Sequence, residues 1–222
     1  MFFYPIKIIF MVITIFGATG QVGKRAVYQA LVEGHTVKAF GRNVDDLIDE
    51  DLRNQNFEAI KGHVFDEADV LHAVTGSHAV LSTLGGNIDG VDKTRSLGMK
   101  NIIFQMQRAG VKRIVALGGS GVLNVENGTY LMEAVDYNPQ FRAVSLEHLE
   151  AYLLLKNSSL EWTFVASPNI LDKDKTENYI INANYLPSPN IREIAAGDIA
   201  DFMLHELSNN KFVHQKVGIS RL

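Results

Sequence analysis

Gly17-Ala18-Thr19-Gly20-Gln21-Val22-Gly23 is the stretch whose reading decides the fold. It follows the apolar run Val12-Ile13-Thr14-Ile15-Phe16 and opens a helix-like stretch from Lys24 to Glu33. A strand, a glycine turn and a helix in that order form a phosphate cradle. Gly17 makes the tight turn, Gly20 lets backbone approach a pyrophosphate, and Gly23 lets the helix pack closely on the strand. The free N–H groups of the first helical turn, together with the helix dipole, favour a phosphate's negative charge. Turns use glycine for many reasons, so the bare motif would say little. Its strand–turn–helix setting predicts dinucleotide binding, with Gly17, Thr19, Gly20, Gln21 and Val22 as contacts.

The chain has 222 residues, which fits one domain with a full-sized core. Hydrophobic residues make up 46% and charged residues 21%, an ordinary globular profile. A net charge of −4 without a basic cluster argues against a nucleic-acid surface. With no cysteine, disulfides, thiol catalysis and cysteine metal sites are excluded. The seven histidines are scattered, and no metal site is expected. Residues 1–10 are apolar but short and interrupted by Pro5 and Lys7, too short to span a membrane. A signal peptide would need a small-residue cleavage site, and none precedes the first strand. The expectation is an upstream extension at 1–10, a natural start at Met11, one domain over 11–222, and a cytoplasmic location.

Strand-like and helix-like segments alternate. Strands are predicted at 12–16, 35–40, 57–61, 79–84, 113–117, 162–166 and 215–219, and helices at 22–33, 44–53, 67–75, 93–109, 140–157 and 197–208. Continuous apolar runs such as Ala79-Val80-Leu81 and Ile114-Val115-Ala116-Leu117 suit a parallel sheet covered on both faces. Right-handed βαβ crossovers then give an α/β fold: a Rossmann-type, doubly wound parallel sheet with helices on both faces and the cofactor at the carboxyl ends of the strands. The stretches 120–139 and 171–191 read as long irregular segments on that side, where a substrate would sit.

The spacing G-x-x-G-x-x-G resembles the short-chain dehydrogenase/reductase superfamily. Further segments resemble its atypical members, which include the NmrA-like proteins, the NADH-flavin reductases and the biliverdin-IXβ/flavin reductases. These segments are GATGQVG at 17–23, GRN at 41–43, GHVFD at 62–66 and STLGG at 82–86, then RIVALGGSG at 113–121, LEWTFVASPN at 160–169 and GDIADFMLHEL at 197–207. The resemblance runs over 11–222 and implies an NAD(P)-binding domain with a small C-terminal substrate-binding portion.

Arg42 follows the second predicted strand. An acidic residue there would bind a ribose 2′-hydroxyl and prefer NAD, whereas an arginine pairs with a 2′-phosphate and stacks on adenine. The expected cofactor is therefore NADP(H), with NAD(H) as the alternative, and Asn43 adds a hydrogen bond. The resemblance places His63 and Val64 beside the adenine, although His63 stands where the family usually has Asp. Leu84, Gly85 and Gly86 end the fourth strand, where small residues admit ribose and phosphates. The resemblance makes Pro168, in Ser167-Pro168-Asn169, an expected backbone contact to the nicotinamide amide, although the family usually has Arg-Pro-Gly there.

Typical superfamily members use a Ser–Tyr–Lys group. Tyr152 and Lys156 spell Y-x-x-x-K, but counting back from Pro168 puts the family's Tyr and Lys near Ser145 and Leu149. The spelled pair comes seven residues later, about 10 Å along a helix. Tyr152 is carried as a catalytic candidate against the alternative of a ring packed in the core. His148 lies near the expected site and could hydrogen-bond a substrate carbonyl or supply a proton. Ser120 is the third catalytic candidate, with Gly119 competing for its position. Without the Tyr–Lys pair, a flavin, quinone or related conjugated acceptor fits best, because hydride transfer then needs mainly binding and orientation. A non-catalytic NADP-binding regulator is the second reading, and a sugar-nucleotide epimerase or dehydratase the third. The expected partner is a small-molecule acceptor, with the chain a monomer or homodimer.

Overall fold

The computed structural model describes residues 10–47, 56–126, 128–189 and 191–222. Its first strand, β1 (Val12–Phe16), lies inside an eight-stranded sheet and is followed by helix α1 (Gln21–Val32). Then come β2 (Thr36–Gly41), β3 (Phe57–Lys61), α2 (Glu67–Val74), β4 (Ala79–Ser82), α3 (Thr94–Ala109) and β5 (Arg113–Gly119). The second half holds α4 (Arg142–Lys156), β6 (Glu161–Ser167), β7 (Asn169–Leu171), β8 (Tyr179–Ala183), β9 (Glu193–Ala195), α5 (Ala196–Asn209) and β10 (Gln215–Arg221).

The main sheet runs β3-β2-β1-β4-β5-β6-β10-β8. Its strands are parallel except β8, which pairs antiparallel with β10. The order reverses between β1 and β4, and a doubly wound sheet opens its ligand crevice at such a point. The fold is therefore an α/β, Rossmann-like one. Helices α1 and α5 cover one face, and α2, α3 and α4 pack side by side on the other.

The sheet's two faces explain the apolar runs. Ile13, Ile15, Ala79, Leu81, Val115 and Val165 enter the core under α1 and α5. Their neighbours Phe16, Val80, Ile114, Ala116 and Phe164 enter the second core under α2–α4. Side chains alternate faces along a strand, so a strand buried on both sides must be apolar throughout.

Several boundaries differ from the sequence reading. β4 stops at Ser82, while β5 runs two residues further, to Gly119, and β6 one further, to Ser167. The helix expected at 44–53 is a 3-10 turn at Val44–Leu47, and the rest of that segment lies outside the described residues. Residues 1–9 of the expected extension lie outside them as well. The stretch 171–191 is more ordered than its composition suggests. β8 completes the sheet edge within it, and the three-residue strands β7 and β9 pair at its borders. Strands this short carry too few alternations to register as a pattern. Among the described residues no helix is long and apolar enough to cross a membrane.

Candidate functional site

The turn between β1 and α1 is closed by its own backbone. Gly17 has a φ of 74°, and a Cβ there would lie 2.6 Å from the Thr83 carbonyl oxygen. Thr83 locks β4 onto the turn by donating its hydroxyl to the Phe16 carbonyl at 2.9 Å. Gly23 presses on the same turn, since a Cβ there would sit 2.1 Å from the Gly17 oxygen. The close approach the motif demands is thus made by Gly23 against the turn itself. Gly20 is the N-cap of α1, and no side chain caps that terminus. Its first-turn N–H groups have no intrahelical partner and face a cleft lined by Gly17, Thr19, Gly20, Gln21 and Val22. An uncapped helix end on a cleft fits a phosphate group.

The cleft has a volume of about 770 Å³ and crosses the point where the strand order reverses. At one end lie Arg42, His63 and Val64, with Phe65 beside them. The rings of His63 and Phe65 stand 5.0 Å apart, and Asn101 holds this corner by donating to the Val64 carbonyl at 2.9 Å. Leu84, Gly85 and Gly86 line the middle, and a Cβ at Gly85 would meet nothing within 4 Å. His148, Gly119, Ser167 and Pro168 line the far end. Two charged residues that the motifs do not mark, Asp92 and Arg95, also line it.

Arg95 is 8% exposed. It donates to the Gly86 carbonyl at 2.8 Å and the Asn87 carbonyl at 3.0 Å, shaping the β4–α3 loop. Asp92 accepts from the backbone N–H groups of Asn87 and Thr94. Hydrogen bonding with Thr94 holds its carboxyl below the usual range, helped by the nearby Arg95 charge. Behind them, buried Glu147 accepts from Ser96 Oγ at 2.7 Å and from Lys93 Nζ, which pins the start of α3 to α4. His148 follows Glu147 on α4, and a Cβ at Gly119 would lie 2.9 Å from its ring. Burial, reinforced by the positive Arg95, pushes the His148 imidazole down to about 3, so the ring is neutral at ordinary pH. A neutral imidazole still offers one donor and one acceptor.

Three candidate residues stand elsewhere. Asn43 is exposed in the turn after β2 and is not part of the cleft lining. Ser120 begins a 3-10 turn just past the cleft, which its neighbour Gly119 lines instead. Tyr152 is 6% exposed in the core, edge-on to Trp162 and Phe164. Lys156 follows one turn later on the same helix, exposed and likewise outside the lining. The position matching the family's tyrosine, Ser145, is buried and bonded to the Tyr137 hydroxyl at 2.7 Å.

A buried lysine outside the motifs holds the 120–131 segment. Lys216 of β10 donates to the Val122 carbonyl at 2.7 Å and to Asn124 Oδ1 at 2.6 Å. Its ammonium lies 4.7 Å from the Tyr130 ring centre and 5.0 Å from that of Tyr152. Burial pushes it down to about 8. Among the described residues no cluster of His, Cys, Asp and Glu could hold a metal ion.

Comparison with known proteins agrees with this geometry. The chain is 27% identical over 206 residues to an uncharacterized chloroplastic protein of Arabidopsis thaliana, covering 89% of this chain and 73% of the other. Among solved structures it is similar to a candidate exported protein of Burkholderia pseudomallei, with 28% identity and a TM-score of 0.81 over 95% of this chain and 99% of that one. A candidate NADH-flavin reductase of Streptococcus pneumoniae shares the fold at 24% identity and a TM-score of 0.78, over 96% and 100% of the two chains. The model of the NAD(P)H-binding family matches residues 17–210, and the chain belongs to that family.

Proposed function

We propose that this chain is an NADPH-dependent oxidoreductase that passes hydride to a flavin, quinone or related conjugated carbonyl compound. The observation that carries the reading is the chemistry of the cleft at the strand reversal. It joins an exposed arginine, an uncapped helix N-terminus and a neutral histidine, and its lining contains no tyrosine or lysine.

In this reading Arg42 holds the 2′-phosphate and distinguishes NADPH from NADH, because a guanidinium matches phosphate geometry. The N–H groups of Gln21 and Val22 receive the pyrophosphate. Gly85, Gly86 and Pro168 border the ribose and nicotinamide. When bound, the reduced nicotinamide supplies the hydride. His148 hydrogen-bonds the acceptor and orients it. As a ring that stays neutral it holds no spare proton at neutral pH, so the proton that completes the reduction comes from water. An acceptor with a low barrier to hydride addition suits such a site, where orientation does most of the work. A simple ketone, which needs a proton donor at its oxygen, does not.

The test is NADPH oxidation with FMN, riboflavin and small quinones as acceptors. Acceptor-dependent loss of absorbance at 340 nm is expected. Tight binding of NADPH without turnover on any acceptor would contradict the reductase and favour a non-catalytic NADP-binding regulator.

A further inference from the structure

Arg95 carries a buried charge that no carboxylate of the described residues meets at ion-pair distance, although Asp92 and Glu147 lie near it. The other deeply buried arginine, Arg113, meets Glu206 at 3.0 Å. Arg95 forms no ion pair with any described residue. Two backbone carbonyls accept from it, and its Nε–H, like that of Arg113, is buried with no acceptor. The nearby carboxylates are committed to other donors. Asp92 takes the N–H groups of Asn87 and Thr94, and Glu147 takes Ser96 and Lys93. Both lower the cost of burying the guanidinium through space without pairing with it. A buried charge without a direct ion pair is expensive, and desolvation outweighs the two carboxylates and pulls Arg95 down from its ordinary value. Such an arrangement is tolerable where a bound molecule completes it.

The place is the acceptor's. Arg95 lines the same cleft as His148, Gly119 and Pro168, at the start of a helix bonded to α4 next to His148. We infer that Arg95 and His148 together form an acceptor subsite for conjugated carbonyl compounds that carry an ionised hydroxyl or imide beside the reducible group. This rests on the reductase reading of the cleft. Arg95 receives the anionic oxygen and His148 hydrogen-bonds the neighbouring carbonyl. The same charge serves the reaction. Hydride adds to the acceptor, the π electron pair moves onto its carbonyl oxygen, and the cofactor becomes NADP⁺. The anion so formed takes one proton from water. A fixed cation in a site of low dielectric stabilises that developing charge without reorganising.

The test uses two naphthoquinones of similar size on the whole chain saturated with NADP⁺. One is 2-hydroxy-1,4-naphthoquinone, an anion at neutral pH, and the other is neutral 2-methyl-1,4-naphthoquinone. Wild type should bind the anion at least about tenfold more tightly, the scale of a charge-assisted hydrogen bond. Arg95→Gln keeps an amide donor for the loop carbonyls and removes the charge, so the preference should vanish while NADP⁺ affinity stays within about threefold. Arg95→Lys keeps the charge and should retain most of the preference. Equal binding of both quinones by wild type would overturn the inference. So would equal loss of the preference in the Gln and Lys variants, which marks a structural role, or a collapse of NADP⁺ affinity in Arg95→Gln, which assigns the charge to the cofactor. Failure of the reductase reading shows separately, as no NADPH oxidation by a quinone that binds.

Discussion

At the scale of single residues, Arg42 and His148 carry the most specific expectations. Arg42→Ala should weaken NADPH binding by tenfold or more and NADH binding far less, since both lose the adenine stack but only NADPH loses a 2′-phosphate contact. Parallel titrations of wild type and variant check this, and equal losses for both cofactors would refute it. His148 makes a pH prediction. Its value in the folded chain is about 3, against roughly 6.5 for an unfolded histidine. Between these the unfolded chain binds the extra proton, so stability falls as pH drops from about 6.5 toward 3. His148→Asn removes that term and should flatten the dependence, measured as urea midpoints across this range. Turnover should likewise show no inflection near pH 6.5. Single residues were also where the sequence said least. Tyr152 and Lys156 have the spelling of a catalytic pair, but a spelling fixes spacing along a helix and not the direction of a ring. Tyr152 points between Trp162 and Phe164. Arg95 was invisible because a lone arginine in a first helical turn has no spacing to betray it. Its role appears only once the β4–α3 loop folds back over it.

At the scale of elements, the β1–α1 junction and the 120–131 segment are the parts most open to test. Gly23→Ala would drive a methyl into the Gly17 carbonyl, a backbone atom that cannot swing aside. The substitution should destabilise the chain by about 2 kcal/mol or more and abolish dinucleotide binding, read by thermal melting and titration. A variant with wild-type stability and affinity would show that the turn is not held this tightly. Lys216→Met removes both hydrogen bonds that tie Val122 and Asn124 to β10. It should cost about 2 kcal/mol and open the 120–131 segment to limited proteolysis, while the sheet keeps its circular dichroism. The glycine motif was legible because its chemistry is local: strand, turn and helix adjoin in sequence. The Lys216 anchor joins residues about ninety positions apart, and only the folded sheet brings them together.

At the scale of the whole molecule, alternation of apolar runs with amphipathic stretches was enough to specify the doubly wound sheet. Each run is a strand buried on both faces, and that burial writes itself into the sequence. The edge was harder. β8 is only partly buried and lies in a polar stretch, so its pairing with β10 left no comparable mark. The sheet's reversal between β1 and β4 opens the cleft, and the uncapped end of α1 sits on it. That conjunction is what makes the cleft a dinucleotide site. Calorimetric titration of the purified chain with NADPH and with NADH tests it most directly. Saturable binding at one site per chain is expected, with NADPH the tighter ligand. An absence of binding by either dinucleotide would contradict it.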